Sequence, residues 1–319
     1  MPTFSVIIPN YNYAAYLAQR IHSVIYQTFG DFELIILDDG SADNSREIIE
    51  QFRDHPKVSH IIYNTVNSGS AFSQWKKGIE TARGDWIWIA ESDDWSDMGY
   101  LQTAAVAIKQ YPETGIFYCD SNIADENGQQ HLPGKFSEIK NIFFATAKWG
   151  SEYHKSGMEE LNEHLKLACI INNANSAVMR RDLLLPLLNE VAEFKYHGDW
   201  YCYIKLAISS PVVYAARALS TVRIHAKSLI NKNRGRIKSK EEHFRILLLL
   251  LDQKKITEKN TLIRFFSEQY LGVGFFRDGF ARSLKTIALY LSLGFRPGMK
   301  VLGEILRIKI SRKKIKPVF

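Results

Sequence analysis

The 319-residue sequence has only three cysteines, Cys119, Cys169 and Cys202, odd in number and far apart. That excludes a disulfide framework and a clustered cysteine zinc site, and it fits a reducing compartment. Long hydrophobic runs are also missing. The longest purely apolar run is Ile246 to Leu251, whereas a bilayer span needs about 20 residues. Met1-Pro2-Thr3-Phe4 offers no basic region followed by an apolar stretch, so neither a signal peptide nor a transmembrane helix is expected. Internal repeats and low-complexity segments are absent. Apolar residues make up 46% and charged residues 24%, a balance that excludes wholesale disorder.

What is present is a charge imbalance along the chain. Residues 1–228 hold 20 Lys and Arg against 27 Asp and Glu, a net of −7; residues 229–319 hold 21 against 7, a net of +14. The sum is the +7 of the whole chain. An acidic body, 1–228, followed by a basic, mainly helical region, 229–319, is the expected organisation.

Within the body, short β-branched runs alternate with helical patterns. Strands are expected at Phe4 to Ile8, Glu33 to Leu37, Val58 to Tyr63, Trp86 to Ala90 and Gly115 to Cys119. Helices are expected at Tyr16 to Gln27, Ser45 to Phe52, Phe72 to Ala82 and Leu101 to Gln110. That alternation predicts an α/β fold with a doubly wound, mostly parallel sheet flanked by helices. From Ala124 to Asn175 the periodicity weakens, and loops with one helix, Met158 to Leu167, are expected. Beyond it come a strand at Ser176 to Met179, helices from Arg181 and from Asp199, and strands near Val212 and Thr221.

In such sheets ligands bind beyond the carboxyl ends of the strands. Three strand ends carry polar clusters: Pro9-Asn10-Tyr11-Asn12, Asp38-Asp39-Gly40-Ser41 and Glu91-Ser92-Asp93-Asp94. All three should meet in one crevice. Crowded carboxylates repel one another unless a cation neutralises them. Oxygen-only ligands with no nearby Cys or His suit Mg²⁺ or Mn²⁺. Each cluster alone also fits a helix-capping turn; the coincidence of three at one edge favours a site.

These residues resemble a known family. Val6-Ile7-Ile8-Pro9-Asn10-Tyr11-Asn12, Asp38-Asp39-Gly40-Ser41, Asn67-Ser68-Gly69 and Gly84-Asp85-Trp86-Ile87-Trp88-Ile89-Ala90-Glu91-Ser92-Asp93-Asp94 are similar, in order and spacing, to a family-2 glycosyltransferase of the GT-A fold. The match runs over roughly residues 3–120 and continues more weakly to 228. The resemblance implies transfer of a sugar from a nucleotide-diphosphate donor to a hydroxyl, inverting and metal-dependent. It implies that Pro9, Tyr11, Asn12, Asp39 and Asn67 hold the donor. Asp93 and Asp94 would hold the divalent metal and the ribose, with the two roles left unseparated. The family segment usually reads Asp-x-Asp-Asp; here Glu91 stands first. An Arg common after the Asn67 turn is replaced by Gln74-Trp75-Lys76-Lys77, and Lys76 or Lys77 is the candidate cation for the diphosphate.

Two later elements also match. Asp199, in Tyr196-His197-Gly198-Asp199-Trp200, resembles the general base that removes the acceptor proton. Arg223 and His225 resemble the Arg-x-His element that closes many catalytic domains; the resemblance implies His225 at the metal or the diphosphate, and Arg223 on the donor side or paired with an acidic neighbour. Trp86 and Trp88 are expected to be core packing.

Past residue 284, Ile287, Leu291, Val301, Ile305 and Ile308 keep helical spacing beside Arg307, Lys309, Arg312, Lys313, Lys314 and Lys316. A basic amphipathic helix can lie on an anionic membrane. The expected partners are therefore a nucleotide-sugar donor, a glycan or lipid-linked acceptor and an anionic membrane surface. No nucleic-acid motif accompanies the charge. The expected location is cytoplasmic or peripheral on the inner face of the membrane. A product in surface polysaccharide or lipid-linked oligosaccharide synthesis follows by analogy. Two rival functions remain: a catalytically inactive nucleotide-sugar-binding scaffold, and a nucleotidyltransferase. The latter should carry a glycine-rich phosphate loop, and Pro9-Asn10-Tyr11-Asn12-Tyr13 has no glycine.

Overall fold

The computed structural model describes residues 1–225, 236–273, 275 and 280–311. The anticipated boundary at 228 and the basic residues Arg312, Lys313, Lys314 and Lys316 lie outside them. The chain divides into two compact units. The first comprises Met1–Leu161, Ile170–Phe194 and Gly198–Ala226; the second comprises Asn162–Cys169, Lys195–His197 and Lys227–Phe319.

The first unit is built on one sheet of ten strands. In chain order they are β1 (Phe4–Asn10), β2 (Phe32–Asp38), β3 (Val58–Tyr63), β4 (Trp86–Ile89), β5 (Trp95–Ser96), β6 (Ile116–Ala124), β7 (Gln130–Lys135), β8 (Tyr153–Lys155), β9 (Ala177–Arg180) and β10 (Val212–Arg223). The spatial order is β3-β2-β1-β4-β9-β6-β10-β5, with β7 on β6 and β8 on β10. Strands β3, β2, β1 and β4 are mutually parallel, as are β6 and β10; β9 enters antiparallel between β4 and β6. The ends of β1, β2 and β4 therefore lie side by side, and Asn10 is in register with Asp38.

Burial explains the order. Strands β1 and β2 present Val6, Ile8, Leu34 and Ile36 to one face, where Leu17, Ile21 and Val24 of the helix Ala14–Ile25 meet them. All seven are fully buried, each worth about 1.5–3 kcal/mol. Ile7 and Leu37 face the other side. There the helix Ala71–Thr81 comes so close that a Cβ on Gly78 would sit 2.5 Å from Ile7 Cγ2. Trp86 and Trp88 are core residues, and Trp88 stacks on Tyr100 with ring centroids 4.5 Å apart.

Between 124 and 175 the structure corrects the expectation of loops. It adds strands β7 and β8 and a helix, Phe136–Phe144. That helix buries Ser137 and Lys140 while Ile142 is 79% exposed. Polar residues occupy the inward face, so apolar periodicity could not reveal it. Lys140 donates to Ile170 O, and its ammonium lies 5.1–5.4 Å from the ring centroids of Tyr118, Trp149 and Tyr214. The helix expected over 158–167 is Gly157–Glu160, continued by a wide turn at Leu161–Leu165. The two strands expected near 212 and 221 are one strand, β10, with register shifts around Ala218.

In the second unit the described residues form helices Ile237–Asp252, Lys259–Phe266, Phe280–Leu293 and Phe295–Ser311. Phe244 stacks on Tyr290, and both are fully buried. Glu242 accepts the backbone N–H groups of Lys195, Tyr196 and His197. Among the described residues no helix is long and apolar enough to cross a membrane.

Candidate active site

The first two strand ends are laced together by side chains. Asn10, 2% exposed, donates from Nδ2 to Asp38 Oδ1 at 2.8 Å and to Ser41 Oγ at 3.2 Å. Asn12 adopts φ 58°, a conformation that Asn tolerates better than most residues. Its N–H donates to Ser41 Oγ and its Oδ1 accepts from Ala42 N at 2.7 Å. Asp38 is spent on this lacing, accepting from Asn10 and Ser41. Pro9 O accepts from Ser92 Oγ at 2.6 Å, tying the first strand end to the third. Tyr11 projects from the loop, 45% exposed.

Asp39 follows just past the strand end, as buried as Asp38 at 4% exposed. Its carboxylate accepts from Asn64 Nδ2, Ser68 N, Ser68 Oγ and Gln74 Nε2, at 2.6–3.0 Å. Gly40 follows at φ +71°, with its Cβ position 3.1 Å from Asn67 N. A side chain there is both strained and crowded. Asn67 turns its own loop by accepting Gly69 N at 2.6 Å. Two buried acceptors in this region, Asn10 Oδ1 and Gln74 Oε1, have no partner. Buried polar atoms are rarely left so.

The third strand end carries the acids. Asp94 is 4% exposed and accepts Arg223 N at 2.9 Å through Oδ1. Asp93 Oδ2 lies 3.0 Å from His225 Nε2, and the His225 side chain is 3% exposed. Burial, then repulsion from Asp94, Asp93 and Asp199, holds the Glu91 carboxyl well above the usual range. Burial, then repulsion from Asp93, does the same to Asp94. Burial and the acids around Asp93, to which it hydrogen-bonds, raise the Tyr13 phenol. Such a cluster asks for positive charge. Two carboxylates and an imidazole are a donor set that fits Mn²⁺ or Mg²⁺. Asp93, Asp94 and His225 do not bring one ligand atom each within 4.8 Å of one another.

One positive charge is built in. Arg20, fully buried, donates from Nε to Glu91 O at 2.8 Å and from Nη1 to Ser96 Oγ at 3.3 Å. Burial lowers its pKa to about 10, opposed by the pull of Asp94, Asp93 and Glu91.

Asp199 occupies the first turn of the helix Gly198–Ser209, where the helix dipole favours an anion. Its Oδ1 accepts Trp200 N at 2.8 Å, and its field reaches Glu91. Gly198 is required for this approach: a Cβ there would sit 2.9 Å from Phe194 Cβ and Phe72 Cδ2.

The structure thus brings Pro9, Asn12, Asp39 and Asn67 to one edge with Asp93, Asp94 and His225, and sets Asp199 within electrostatic reach. Two expected donor ligands are occupied elsewhere. Arg223 donates from Nε to Asp93 O, from Nη1 to Glu126 O and from Nη2 to Gln19 Oε1. Its guanidinium is also sandwiched 4.4 Å from the Tyr16 ring centroid and 4.6 Å from that of Trp95. It braces the acidic loop from within. Lys76 turns to Asn189 and Glu80, whereas Lys77 donates to Asn64, the partner of Asp39.

Sequence reasoning missed Arg20, Tyr13, Ser68 and Gln74 as parts of the site. A signal existed for Arg20, because it falls on the apolar stripe formed by Leu17, Ile21 and Val24. An arginine in a buried stripe requires an anion nearby.

A family model described as "Glycosyl transferase family 2" matches residues 5–185. A putative teichuronic acid biosynthesis glycosyltransferase, TuaG of Bacillus subtilis, is 38% identical over 93 residues, 29% of this chain and 36% of that protein. The chain spans about a third of the curated relatives it matches. Among solved structures, residues 1–349 of S. aureus TarS in complex with UDP-GlcNAc superpose with a TM-score of 0.71, at 16% identity, covering 98% of this chain and 93% of that one. The Pyrobaculum calidifontis mannosyltransferase PcManGT, in complex with GDP-Man and Mn²⁺, superposes at 0.57, with 13% identity, over 98% and 88%.

Proposed function

Since the chain belongs to glycosyl transferase family 2, whose model matches residues 5–185, we propose that it transfers a sugar from a nucleotide-diphosphate donor to an acceptor hydroxyl, with inversion. The observation that carries this reading is the acidic strand end, Glu91 to Asp94, where Asp94 is buried against Arg223 N, Asp93 faces His225, and Asp199 adds to the repulsion on the buried Glu91 carboxyl. A single displacement requires a base on the acceptor side and stabilisation of the leaving group on the other.

The donor's nucleoside lies along the Asp38–Asp39 edge. The neighbours solved with UDP-GlcNAc and with GDP-Man support a uracil or guanine base. Asp93, Asp94 and His225 are the residues that would hold a divalent cation, which when bound neutralises the charge developing on the leaving diphosphate.

This chain's own residues do the rest. Asp199 takes the proton from the acceptor hydroxyl as that oxygen bonds to the anomeric carbon. The bond from that carbon to the diphosphate oxygen breaks on the opposite face, and the nucleoside diphosphate leaves with the electron pair. Arg223 and Arg20 hold the acidic loop in place throughout. The acceptor is a glycan, free or lipid-linked, in surface polysaccharide synthesis, a class supported by the name of TuaG. The cytoplasmic face of a membrane, where lipid-linked glycans are accessible, suits such an acceptor.

The test is the Asp199→Asn variant. General base catalysis contributes about 10²–10⁴-fold. Turnover should fall by that factor while the donor dissociation constant stays within about twofold. Equal turnover in the variant would refute the base assignment.

A further inference from the structure

The helix Phe295–Ser311 has two apolar stripes where a helix packed on one side needs one. Val301 and Ile305, 0% and 3% exposed, form the inward stripe. Phe295, Met299 and Leu306 form the other, and they are 66%, 52% and 52% exposed. At 3.6 residues per turn these three fall within an arc of about 40°. Leu293, at the end of the preceding helix, is 37% exposed. Scattered apolar residues on a surface need no explanation; a stripe of them does.

Charge says what covers it. Over residues 280–311 the basic side chains are Arg282, Lys285, Arg296, Lys300, Arg307 and Lys309, against one acid, Glu304. Arg296, Lys300 and Arg307 border the exposed stripe on one side. Glu304 lies beyond them and pairs with Arg307 at 2.7 Å. A second copy of the chain would set this cationic border against its own like. An apolar stripe rimmed by cations is complementary to the headgroup and acyl boundary of an anionic bilayer.

We propose that the Phe295, Met299 and Leu306 face of this helix lies in the plane of an anionic membrane, with Arg296, Lys300 and Arg307 at the headgroups. This specifies the surface behind the membrane location proposed above, while its evidence comes from the two terminal helices alone.

The experiment is co-sedimentation of the full chain with vesicles of phosphatidylcholine, alone or mixed with phosphatidylglycerol. No nucleotide sugar is present, so the outcome is separable from the transfer activity. Partitioning onto the anionic vesicles should be at least about tenfold stronger and should weaken with salt. The triple variant Phe295→Ser, Met299→Ser, Leu306→Ser should lose it with its melting temperature unchanged, because all three positions are exposed. Arg296→Glu with Lys300→Glu should lose it as well. Wild-type protein left in the supernatant, or a triple variant that binds normally, would overturn the proposal. So would a wild-type dimer that the triple variant converts to monomer, since that assigns the face to a second copy.

Discussion

Replacing Arg20 by Met keeps the length and apolar character of the side-chain stem and removes only the charge and its hydrogen bonds. Arg20 is fully buried beneath Glu91, Asp93 and Asp94, holding Glu91 O at 2.8 Å. Removing one partner from a buried charge cluster destabilises by about 3–5 kcal/mol. At 2–4 °C per kcal/mol for a unit of this size, the melting midpoint should fall by roughly 6–20 °C. The loss should depend on pH. Glu91 and Asp94 already have pKa values above their unfolded ones. A carboxyl raised in the fold binds more protons folded than unfolded, so it does not oppose folding below its unfolded pKa. Stability falls as pH climbs from there through the folded value. Without Arg20 the folded values rise further, so the variant should be damaged more at pH 8 than at pH 5. Mn²⁺ should restore part of the loss by replacing the missing charge. Scanning calorimetry at both pH values, with EDTA and with Mn²⁺, measures all of this. A variant within about 1 kcal/mol of wild type at pH 8, indifferent to Mn²⁺, would refute the reasoning.

Further outcomes follow from the same geometry. Gly198→Ala puts a methyl 2.9 Å from Phe194 Cβ and Phe72 Cδ2; overpacking of this kind should destabilise by about 1–3 kcal/mol in chemical denaturation. It should also lower turnover by displacing Asp199. In the second unit, desolvation beside His243 lowers the His197 pKa to about 4. His197 is neutral in the fold, so its stabilisation is present above pH 6.5 and is lost as pH falls toward 4, by about 2–3 kcal/mol. His197→Gln should flatten that part of the stability profile. Gln74→Leu removes both a donor to Asp39 and a free acceptor, and should weaken donor binding about tenfold, a loss calorimetry would read directly.

The parallel half of the sheet was legible because each buried strand is a β-branched run and each helix repeats near 3.6 residues. Ile7-Ile8 and Ile35-Ile36 are buried on both faces of the sheet, as such runs suggest. The converging strand ends were legible for the same reason, since topology fixes which ends share an edge. The helix at 136–144 was hidden because its buried face carries Ser137 and Lys140, held by a carbonyl and three aromatic rings from distant segments. The same limit applied to Arg223. Its spacing with His225 suggests a shared strand face, but β10 ends at Arg223, and the commitment of Arg223 to Asp93, Glu126 and Gln19 is set by a helix and two turns remote in sequence. Nor does sequence reveal that residues 162–169 and 195–197 belong to the second unit, because that depends on long-range packing.

The central claim is that the acidic strand end and the Asp38–Asp39 edge together hold a nucleotide-sugar donor through a divalent cation. Calorimetric titration with UDP- and GDP-sugars, with and without Mn²⁺, tests it most directly. One donor should bind only with the metal, Asp94→Ala should abolish that binding, and Asp199→Ala should leave it intact. Absence of binding by every nucleotide sugar, with or without Mn²⁺, would contradict the account.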